Sequence, residues 1–232
     1  MLRVIPSYGR KRSHGLSDAQ KSDLTNLYSA YGMELPSEMT DPCAFFPDNE
    51  GLYKRFVVEI GFGNGERLVN HAILKPDVGF IGCDPFENGV AHILGAIREH
   101  GLKNVRIFNG DARFLIEKLR NNSLCHIYVL FPDPWRKRRH HKRRLLSTNF
   151  ISTLISKITV AGVLVIATDH EDYMVNILEN LKEIPNISYC DKIDNLFARP
   201  SCQLSTKYEQ KASLSGKKNY YLRIHSAMRA FY

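Results

Sequence analysis

The feature that most constrains the fold is a regular alternation of short β-branched runs with helical stretches, which begins at Arg55. Such alternation favours parallel strands, because right-handed crossovers through helices bring successive strands back in the same direction. We therefore predict an α/β protein with a Rossmann-like, doubly wound and mostly parallel sheet. The predicted strands are 56–60, 78–83, 105–108, 125–130 and 162–167, with further candidates at 187–190 and 220–225. The predicted helices are 17–31, 67–74, 87–100, 114–119, 148–158 and 173–181.

Residues 1–50 differ in composition from the rest, being rich in Ser, Pro, Gly and charge. We interpret them as a basic N-terminal arm with one short helix, capped by Ser17, and 51–232 as a single globular domain. The longest apolar run, 160–167, is far below the roughly 20 residues that a membrane span needs. No secretory signal is recognisable at the N-terminus. Five scattered cysteines, none in a CxxC pair, argue against zinc and disulfides, so we expect no metal site and a cytoplasmic location.

Positive charge is concentrated in two tracts. The segment 136–144 reads R-K-R-R-H-H-K-R-R, and 3–12 adds four more cationic residues, although the whole chain carries only +8. Concentrated tracts suit a phosphate backbone, because each neutralised phosphate releases condensed counterions. The alternatives are a solvated surface run and a nuclear-import signal, and a position directly after a predicted strand disfavours the second. We interpret His140 and His141 as solvated RNA contacts, not a metal pair.

Ligands of doubly wound sheets bind beyond the carboxyl ends of the strands. After the first predicted strand comes Glu59-Ile60-Gly61-Phe62-Gly63-Asn64-Gly65-Glu66, whose three glycines allow positive φ and close approach of a ligand. This GxGxG pattern differs from the dinucleotide GxGxxG. Its two glutamates would repel a pyrophosphate and attract a sulfonium group. S-adenosyl-L-methionine has a sulfonium and no phosphate, although a tight strand-to-helix turn would explain the glycines alone.

Carboxylates also follow the second and third predicted strands. Asp84 would accept hydrogen bonds from ribose hydroxyls, and Asp111, within Asn-Gly-Asp-Ala, from the adenine amine. Each aspartate taken singly is equally consistent with a helix N-cap or a turn. Acidic residues at three successive strand ends together predict a site for S-adenosyl-L-methionine. Its predicted members are Glu59, Gly61, Gly63, Asp84, Asp111 and Ala112.

The fourth predicted strand runs into Phe131-Pro132-Asp133-Pro134-Trp135 and then directly into the basic tract. Two prolines restrict the backbone on either side of Asp133, so we predict a rigid catalytic carboxylate that also touches the methyl donor. An aspartate in a tight turn is the structural alternative, and Trp135 would either anchor the loop or stack on a base. A catalytic loop joined to a cationic segment would position a bound nucleic acid for reaction. The predicted phosphate contacts are Arg138, Arg139, Arg143 and Arg144.

These motifs together resemble the bacterial tRNA (guanine-N7-)-methyltransferases, over most of the chain from about Tyr8 to Tyr221. The resemblance rests on Val58–Gly65, Asn109–Ala112, Phe131–Trp135 with 137–144, Thr168-Asp169 and Thr206-Lys207-Tyr208-Glu209. It implies a Rossmann-like methyltransferase fold, S-adenosyl-L-methionine as cofactor and tRNA as partner, with the variable-loop guanine at tRNA position 46 as target. It also implies that Asp133 is catalytic. The residues that it implies for tRNA binding are Lys137, Asp169, Thr206, Lys207, Tyr208 and Glu209.

N7 of guanine has an exposed lone pair and no proton to lose, so methyl transfer there needs alignment and charge stabilisation but no general base. Asp133 would supply the negative potential, and either Asp169 or Glu209 would accept from the guanine N1–H or amine. Two rival hypotheses remain. One is a methyltransferase for ribosomal RNA or a small molecule, and the other is a non-catalytic RNA-binding protein on the same fold. No obligatory protein partner is evident.

Overall fold

The computed structural model describes residues 15–49, 51–185, 188–189 and 218–225. The strands are β1 (Arg55–Ile60), β2 (Val78–Cys83), β3 (Val105–Phe108), β4 (Leu124–Leu130), β5 (Ile158–Thr168), β6 (Ser188–Tyr189) and β7 (Tyr220–His225). The α-helices are α1 (Asp18–Tyr31), α2 (Glu66–Leu74), α3 (Glu87–Glu99), α4 (Ala112–Lys118), α5 (Thr148–Lys157) and α6 (Glu171–Lys182). Short 3-10 helices span Pro42–Phe45, Pro47–Asn49 and Arg138–Arg143. The basic arm at residues 3–12 and the segment 206–209 lie outside the described residues.

The described residues form one seven-stranded sheet in the order β3-β2-β1-β4-β5-β7-β6. The first five strands are parallel, and β7 runs antiparallel between β5 and β6. The predicted α/β class and mostly parallel sheet are therefore confirmed. The antiparallel pairing of β7 with β5 and β6 is not part of that prediction, which took the alternating pattern to indicate parallel strands.

Helices cover both faces of the sheet, as the doubly wound prediction requires. One apolar cluster joins α4, α5 and α6 to the sheet, and a second joins α2 and α3 to the opposite face. Strand β2 is buried at every position, as expected for a central parallel strand. Helices cover both faces of the sheet, so a ligand can reach it only where the strands end. The carboxyl ends of β1 to β5 lie together on one such side.

The predicted strand 162–167 is too short at its start, since β5 begins at Ile158, directly after α5 ends. The register of β4 on β5 shifts between Leu124 and His126, which marks a bulge. Gly162 lies at this irregularity, where an added Cβ would be 2.9 Å from the backbone of Thr159. The glycine that appeared to begin the strand is therefore an interruption within it.

The first described helix packs on the body of the protein. Ser17 caps α1 in a capping box with Gln20, as predicted for the N-cap. The chain leaving α1 then joins the sheet edge, where the Met33 N–H donates to the Ile107 carbonyl at 2.8 Å. Asp23 of α1 is ion-paired with Arg98 of α3. The separation of residues 1–50 from the globular domain stays a prediction. Among the described residues, no helix is both long enough and apolar enough to cross a bilayer.

Candidate functional site

A cavity of about 290 Å³ opens at the carboxyl ends of β1, β2 and β4, where ligands of doubly wound sheets are expected to bind. The carboxylates of Asp84, Asp111 and Asp133 all line it. The other lining residues include Ile60, Gly61, Gly63, Cys83, Pro85, Phe86, Ala112, Arg113, Leu130, Trp135, Arg143 and Leu145. Apolar walls with a few convergent polar groups suit an organic ligand, and the charged groups here are three aspartates and two arginines.

The glycine loop has the backbone geometry that its sequence predicts. Gly61, Gly63 and Gly65 have φ angles of 75°, 59° and 78°, all in the left-handed region that favours glycine. Gly61 and Gly63 line the cavity directly. Gly65 precedes α2 and lies against α3, where a Cβ would come within 2.5 Å of the Ile93 side chain. The loop is therefore close-packed on one side and open to a ligand on the other.

Asp84 is buried and joins two loops of the cavity. One carboxylate oxygen accepts the Gly63 N–H at 2.8 Å, and the other accepts the Phe86 N–H at 2.9 Å. Burial raises the pKa of Asp84 to about 6; the two N–H donors oppose the rise, whereas the charges of Asp133 and Glu59 add to it. Each oxygen keeps a second lone pair for a ligand hydroxyl. Asp84 is therefore both a turn residue and a cavity-lining acceptor, so the two interpretations of this residue are compatible.

Asp111 is the N-cap of α4 and lines the cavity, so it too combines the two alternatives. It accepts from the Arg113 N–H and from Arg113 Nε, each at 3.0 Å. The Arg113 Nη2 donates to its other oxygen at 2.6 Å. Arg113 is a cavity residue that the sequence analysis missed, because only the motif's own four residues carried a signal. It orients the Asp111 carboxylate through a bidentate pair.

The side chain of Glu59 at the end of β1 is buried, and its predicted contact with the cofactor stays a prediction. Its carboxylate is not among the groups that line the cavity; it is buried and accepts from Arg67 Nη1 at 2.7 Å. Burial raises the pKa of Glu59, and the Arg67 guanidinium opposes that rise. The Arg67 guanidinium also lies 3.7 Å from the centre of the Tyr128 ring. Arg67, the second residue of α2, is a partner of Glu59 that the sequence analysis did not identify.

The loop that carries Asp133 is held in an unusual conformation. Phe131 and Trp135 have φ angles of 53° and 47°, in the left-handed region although neither is glycine. Such residues cost of order 1 kcal/mol or more each and persist where surrounding contacts fix them. The side chain of Asp133, between these two residues, is exposed at the cavity. Contacts around the loop must offset the cost of these two conformations, and the rigidity of Asp133 stays a prediction.

Trp135 fastens the loop to the basic tract. The Arg143 guanidinium carbon lies 5.1 Å from the Trp135 ring centre, and the His140 ring meets the indole edge-on at 5.9 Å. Both Trp135 and Arg143 line the cavity. The tryptophan thus has the anchoring position that was one of its two predicted roles, and the tract begins at the cavity itself.

The basic tract forms a 3-10 helix at Arg138–Arg143, which the sequence analysis did not predict. Lys137, Arg138, Arg139 and Lys142 are exposed along it. Arg144 is different, and the prediction that it contacts phosphates is corrected here. Its side chain is only 4% exposed and pairs with Asp172 of α6. Asp172 lies 28 residues further along the chain, so no local pattern revealed the pair. No cluster of three metal-ligating side chains occurs in the part of the chain that the structure describes.

A second cavity, of about 500 Å³, lies at the carboxyl end of β5. Asp169 lines it together with Arg136 of the basic tract. The other lining residues were not singled out by the sequence analysis: His170, Glu171, Asp172, Lys218 and Tyr220. Lys218 and Tyr220 come from the antiparallel strand region, which brings them beside Asp169 from about 50 positions away in the chain. Burial lowers the pKa of His170. The predicted partners Thr206, Lys207, Tyr208 and Glu209 lie outside the described residues.

Comparison with known families gives a match for residues 53–222 to the model described as "Putative methyltransferase". The chain is 36% identical over 220 residues to a tRNA (guanine-N(7)-)-methyltransferase of Jannaschia sp., covering 93% of this chain and 92% of the relative. It is 38% identical over 206 residues to the Hyphomonas neptunium protein of the same name, with 88% and 92% covered.

Solved structures agree in fold. An rRNA methylase from Streptococcus thermophilus superposes with a TM-score of 0.51 at 14% identity, covering 76% of this chain and 90% of that one. The antibiotic-resistance methyltransferase Kmr gives a TM-score of 0.52 at 15% identity, with 81% and 94% covered. At this identity the likeness supports a shared fold and carries no inference about substrate.

Proposed function

The chain belongs to the tRNA (guanine-N7-)-methyltransferase family, and we propose that its target is the variable-loop guanine at tRNA position 46. The protein transfers a methyl group from S-adenosyl-L-methionine to N7 of a guanine in tRNA. The observation that carries the residue assignment is the cavity in which Asp84, Asp111 and Asp133 meet at the start of an exposed cationic helix. A tRNA substrate supports a cytoplasmic location.

The residues present fit the cofactor. Asp84 and Asp111 would hold the ribose hydroxyls and the adenine amine, and Gly61, Gly63 and Ala112 would allow backbone contact. S-adenosyl-L-methionine supplies, when bound, a methyl group on a positively charged sulfur. Asp84 and Asp133 would supply negative charge that attracts such a cation, whereas the charge of Asp111 is paired with Arg113. Glu59 is a further predicted cofactor residue, and the Arg67 guanidinium 2.7 Å from its carboxylate offsets its charge.

Asp133 is the residue that we assign to the chemical step. N7 of guanine needs no base, so the side chain has no proton to remove; it stabilises the positive charge that grows on the purine ring. The prolines on either side of Asp133 restrict the backbone that carries this carboxylate, which would limit its reorganisation during the reaction. The loop also keeps this charge close to the cationic helix that would hold the RNA.

Substrate recognition would divide between two surfaces. The exposed Lys137, Arg138 and Arg139, with Arg143 at the cavity, would bind phosphates. Asp169 in the second cavity would accept from the guanine N1–H or amine and so distinguish guanine from adenine. Glu209 is the alternative acceptor for that role, and Thr206, Lys207 and Tyr208 would assist it.

The decisive experiment incubates purified protein with labelled methyl donor and unmodified tRNA transcripts, followed by nucleoside analysis. We expect 7-methylguanosine in transcripts with guanine at position 46, and none in matched transcripts with adenine there. Label in ribosomal RNA alone would support the first rival, and absence of both label and donor binding would support the non-catalytic one. Label that persists in the adenine-46 transcripts would refute the position and leave the reaction standing.

A further inference from the structure

Arg144 makes several contacts inside the protein at the same time. Its Nε donates to the Pro134 carbonyl at 3.0 Å, and its Nη2 donates to Asp172 Oδ2. The same Nη2 lies 3.1 Å from His141 Nε2. The guanidinium carbon is 4.8 Å from the ring centre of Tyr173, a fully buried residue. Planar guanidinium groups make such simultaneous contacts, and ammonium groups cannot reproduce them.

The contacts join two parts of the site. Pro134 directly follows Asp133 in the catalytic loop, and its carbonyl belongs to the peptide group that leads into the left-handed Trp135. Asp172 lies in the first turn of α6, three positions after Asp169. One side chain therefore connects the loop that borders the cofactor cavity with the helix that borders the second cavity.

This position is poorly suited to binding a phosphate. The Arg144 side chain is 4% exposed, whereas Arg138 and Arg139 are exposed on the 3-10 helix. An RNA phosphate would have to displace Asp172, which is itself 60% exposed and well placed to keep the guanidinium occupied. The charge of Arg144 is thus largely neutralised within the protein before any RNA arrives.

We propose that Arg144 is a positioning residue that fixes the Asp133 loop relative to Asp169, and that it does not contact the RNA. The inference rests on the proposed function, since it concerns the alignment of the two cavities for methyl transfer. Without the contacts of Arg144 to Pro134 and Asp172, the loop would be free to leave a conformation that is intrinsically unfavourable at Phe131 and Trp135. Misplacement of a reacting group by about 1 Å can reduce turnover by about 100-fold. The expected defect is therefore in kcat, not in RNA affinity.

The test compares Arg144→Gln, Arg144→Lys and Asp172→Asn with the wild type. Turnover and KM for tRNA are measured at saturating donor, and tRNA affinity is measured as a function of salt. Trp135 is the only tryptophan of the chain, so its fluorescence reports on the loop in the absence of RNA. The matched control is Arg55→Gln, which breaks the pair of Arg55 with Asp77. Arg55 lies at the amino end of β1, away from the carboxyl ends that border the cavities. Thermal melts verify folding.

We expect each of the three variants to lower kcat by about 10-fold or more, to shift Trp135 emission and to leave the salt slope unchanged. Arg144→Lys is included because a point charge would still serve a phosphate contact. As a comparison, Arg139→Gln should lower the salt slope by about one unit. The control Arg55→Gln should change none of the three readouts.

Asp172→Asn separates the proposal from its alternative even if Arg144→Gln fails to fold. If Arg144 were an RNA contact, freeing it from Asp172 would tighten tRNA binding and steepen the salt slope while kcat stayed normal, and that result would overturn the proposal. Unchanged Trp135 emission in Asp172→Asn and Arg144→Lys would overturn it as well. If the wild-type protein did not methylate tRNA, the proposed function would be refuted instead. A shift of Trp135 emission in the Arg144 and Asp172 variants would still show that these residues hold the loop against α6.

Discussion

The carboxylate of Asp84 accepts the backbone N–H of Gly63 at 2.8 Å, and so ties the end of β2 to the glycine loop across the cofactor cavity. The side chain is only 7% exposed. A group that the ligand would use is thus also part of the cavity wall. Because burial disfavours the ionised form of the carboxyl, it raises the pKa of Asp84 to about 6.

The first prediction concerns the pH dependence of donor binding. Because the pKa of Asp84 is raised to about 6, its carboxyl is mostly protonated at pH 5 and ionised at pH 7.5. The ionised form attracts a sulfonium and accepts from ribose hydroxyls. Affinity for S-adenosyl-L-methionine, measured by calorimetry, should fall by about tenfold between pH 7 and pH 5. Asp84→Asn should bind weakly with a flatter profile, and an equal pH dependence in that variant would contradict the assignment.

The raised pKa of Asp84 also makes the free energy of unfolding depend on pH. The dependence has the opposite sign to that of a salt-bridged carboxylate, whose pKa is lowered in the folded state. A folded-state pKa raised from 3.8 to about 6 means that the fold favours the neutral acid. This contribution to the free energy of unfolding is fully present below pH 3.8 and is lost as pH rises through 6, a difference on the order of 3 kcal/mol. Denaturant titrations at pH 5 and pH 7.5, with and without donor, should show the larger ligand stabilisation at the higher pH.

A second prediction follows from the contact between α3 and the glycine loop. An added Cβ at Gly89 would lie 2.0 Å from the Gly63 carbonyl oxygen, so a side chain there must push the loop. Gly89→Ala should lower donor affinity by about tenfold or more, despite the gain of about 1 kcal/mol in helix propensity. Gly95→Ala in the same helix is the control, because its Cβ would meet only the Asp23 carboxylate at 3.1 Å. Equal donor affinities in the two variants would show that the loop tolerates the shift.

Much of the fold could be read from the sequence because its signals are local. The β-branched and aromatic runs placed β2, β3 and β7 at their observed bounds, and Ser17 marked the start of α1. The candidate cavity followed from topology, since parallel strands bring their carboxyl ends to one edge. That geometry collected Asp84, Asp111 and Asp133 from three distant segments.

What the sequence could not give were the partners of charged side chains. Glu59 and Arg144 belong to motifs that suggested ligand contacts, yet each is neutralised by a residue on a helix, Arg67 and Asp172 respectively. The motif itself does not identify such a partner, because the pairing depends on which helix face is turned towards the strand end. The second cavity is similar, since Lys218 and Tyr220 reach it through an antiparallel strand.

A third prediction tests the buried pair of Glu59 and Arg67. Arg67→Met would leave a carboxylate buried without its counter-charge and should destabilise the protein by about 3–5 kcal/mol at pH 7.5. Loss of the guanidinium raises the pKa of Glu59 further, so the destabilisation should shrink as pH falls and the acid becomes neutral. The double variant Glu59→Gln with Arg67→Met should recover most of the loss in urea titrations. A double variant no more stable than Arg67→Met would contradict this account.

A fourth prediction concerns Asp133. Asp133→Asn keeps the shape of the side chain and removes its charge, so turnover should fall by about 100-fold or more while the fold and much of the tRNA binding remain. The measurement is single-turnover formation of 7-methylguanosine, with circular dichroism as the check on folding. Asp77→Asn, at the amino edge of the sheet beside Arg55, is the control and should keep full activity. Wild-type turnover in Asp133→Asn would refute the assigned role.

The last prediction concerns the exposed part of the cationic helix. Arg138, Arg139 and Lys142 are solvent-exposed, and each phosphate that they neutralise contributes about 0.7–0.9 to the slope of log affinity against log salt. Replacing all three with Gln should therefore reduce the slope by about two to three units and weaken binding most at low salt. The control replaces three exposed lysines elsewhere, Lys21, Lys54 and Lys75, which removes the same charge from the protein without touching the tract. If both triple variants lost the same slope, overall charge and not this helix would account for RNA binding.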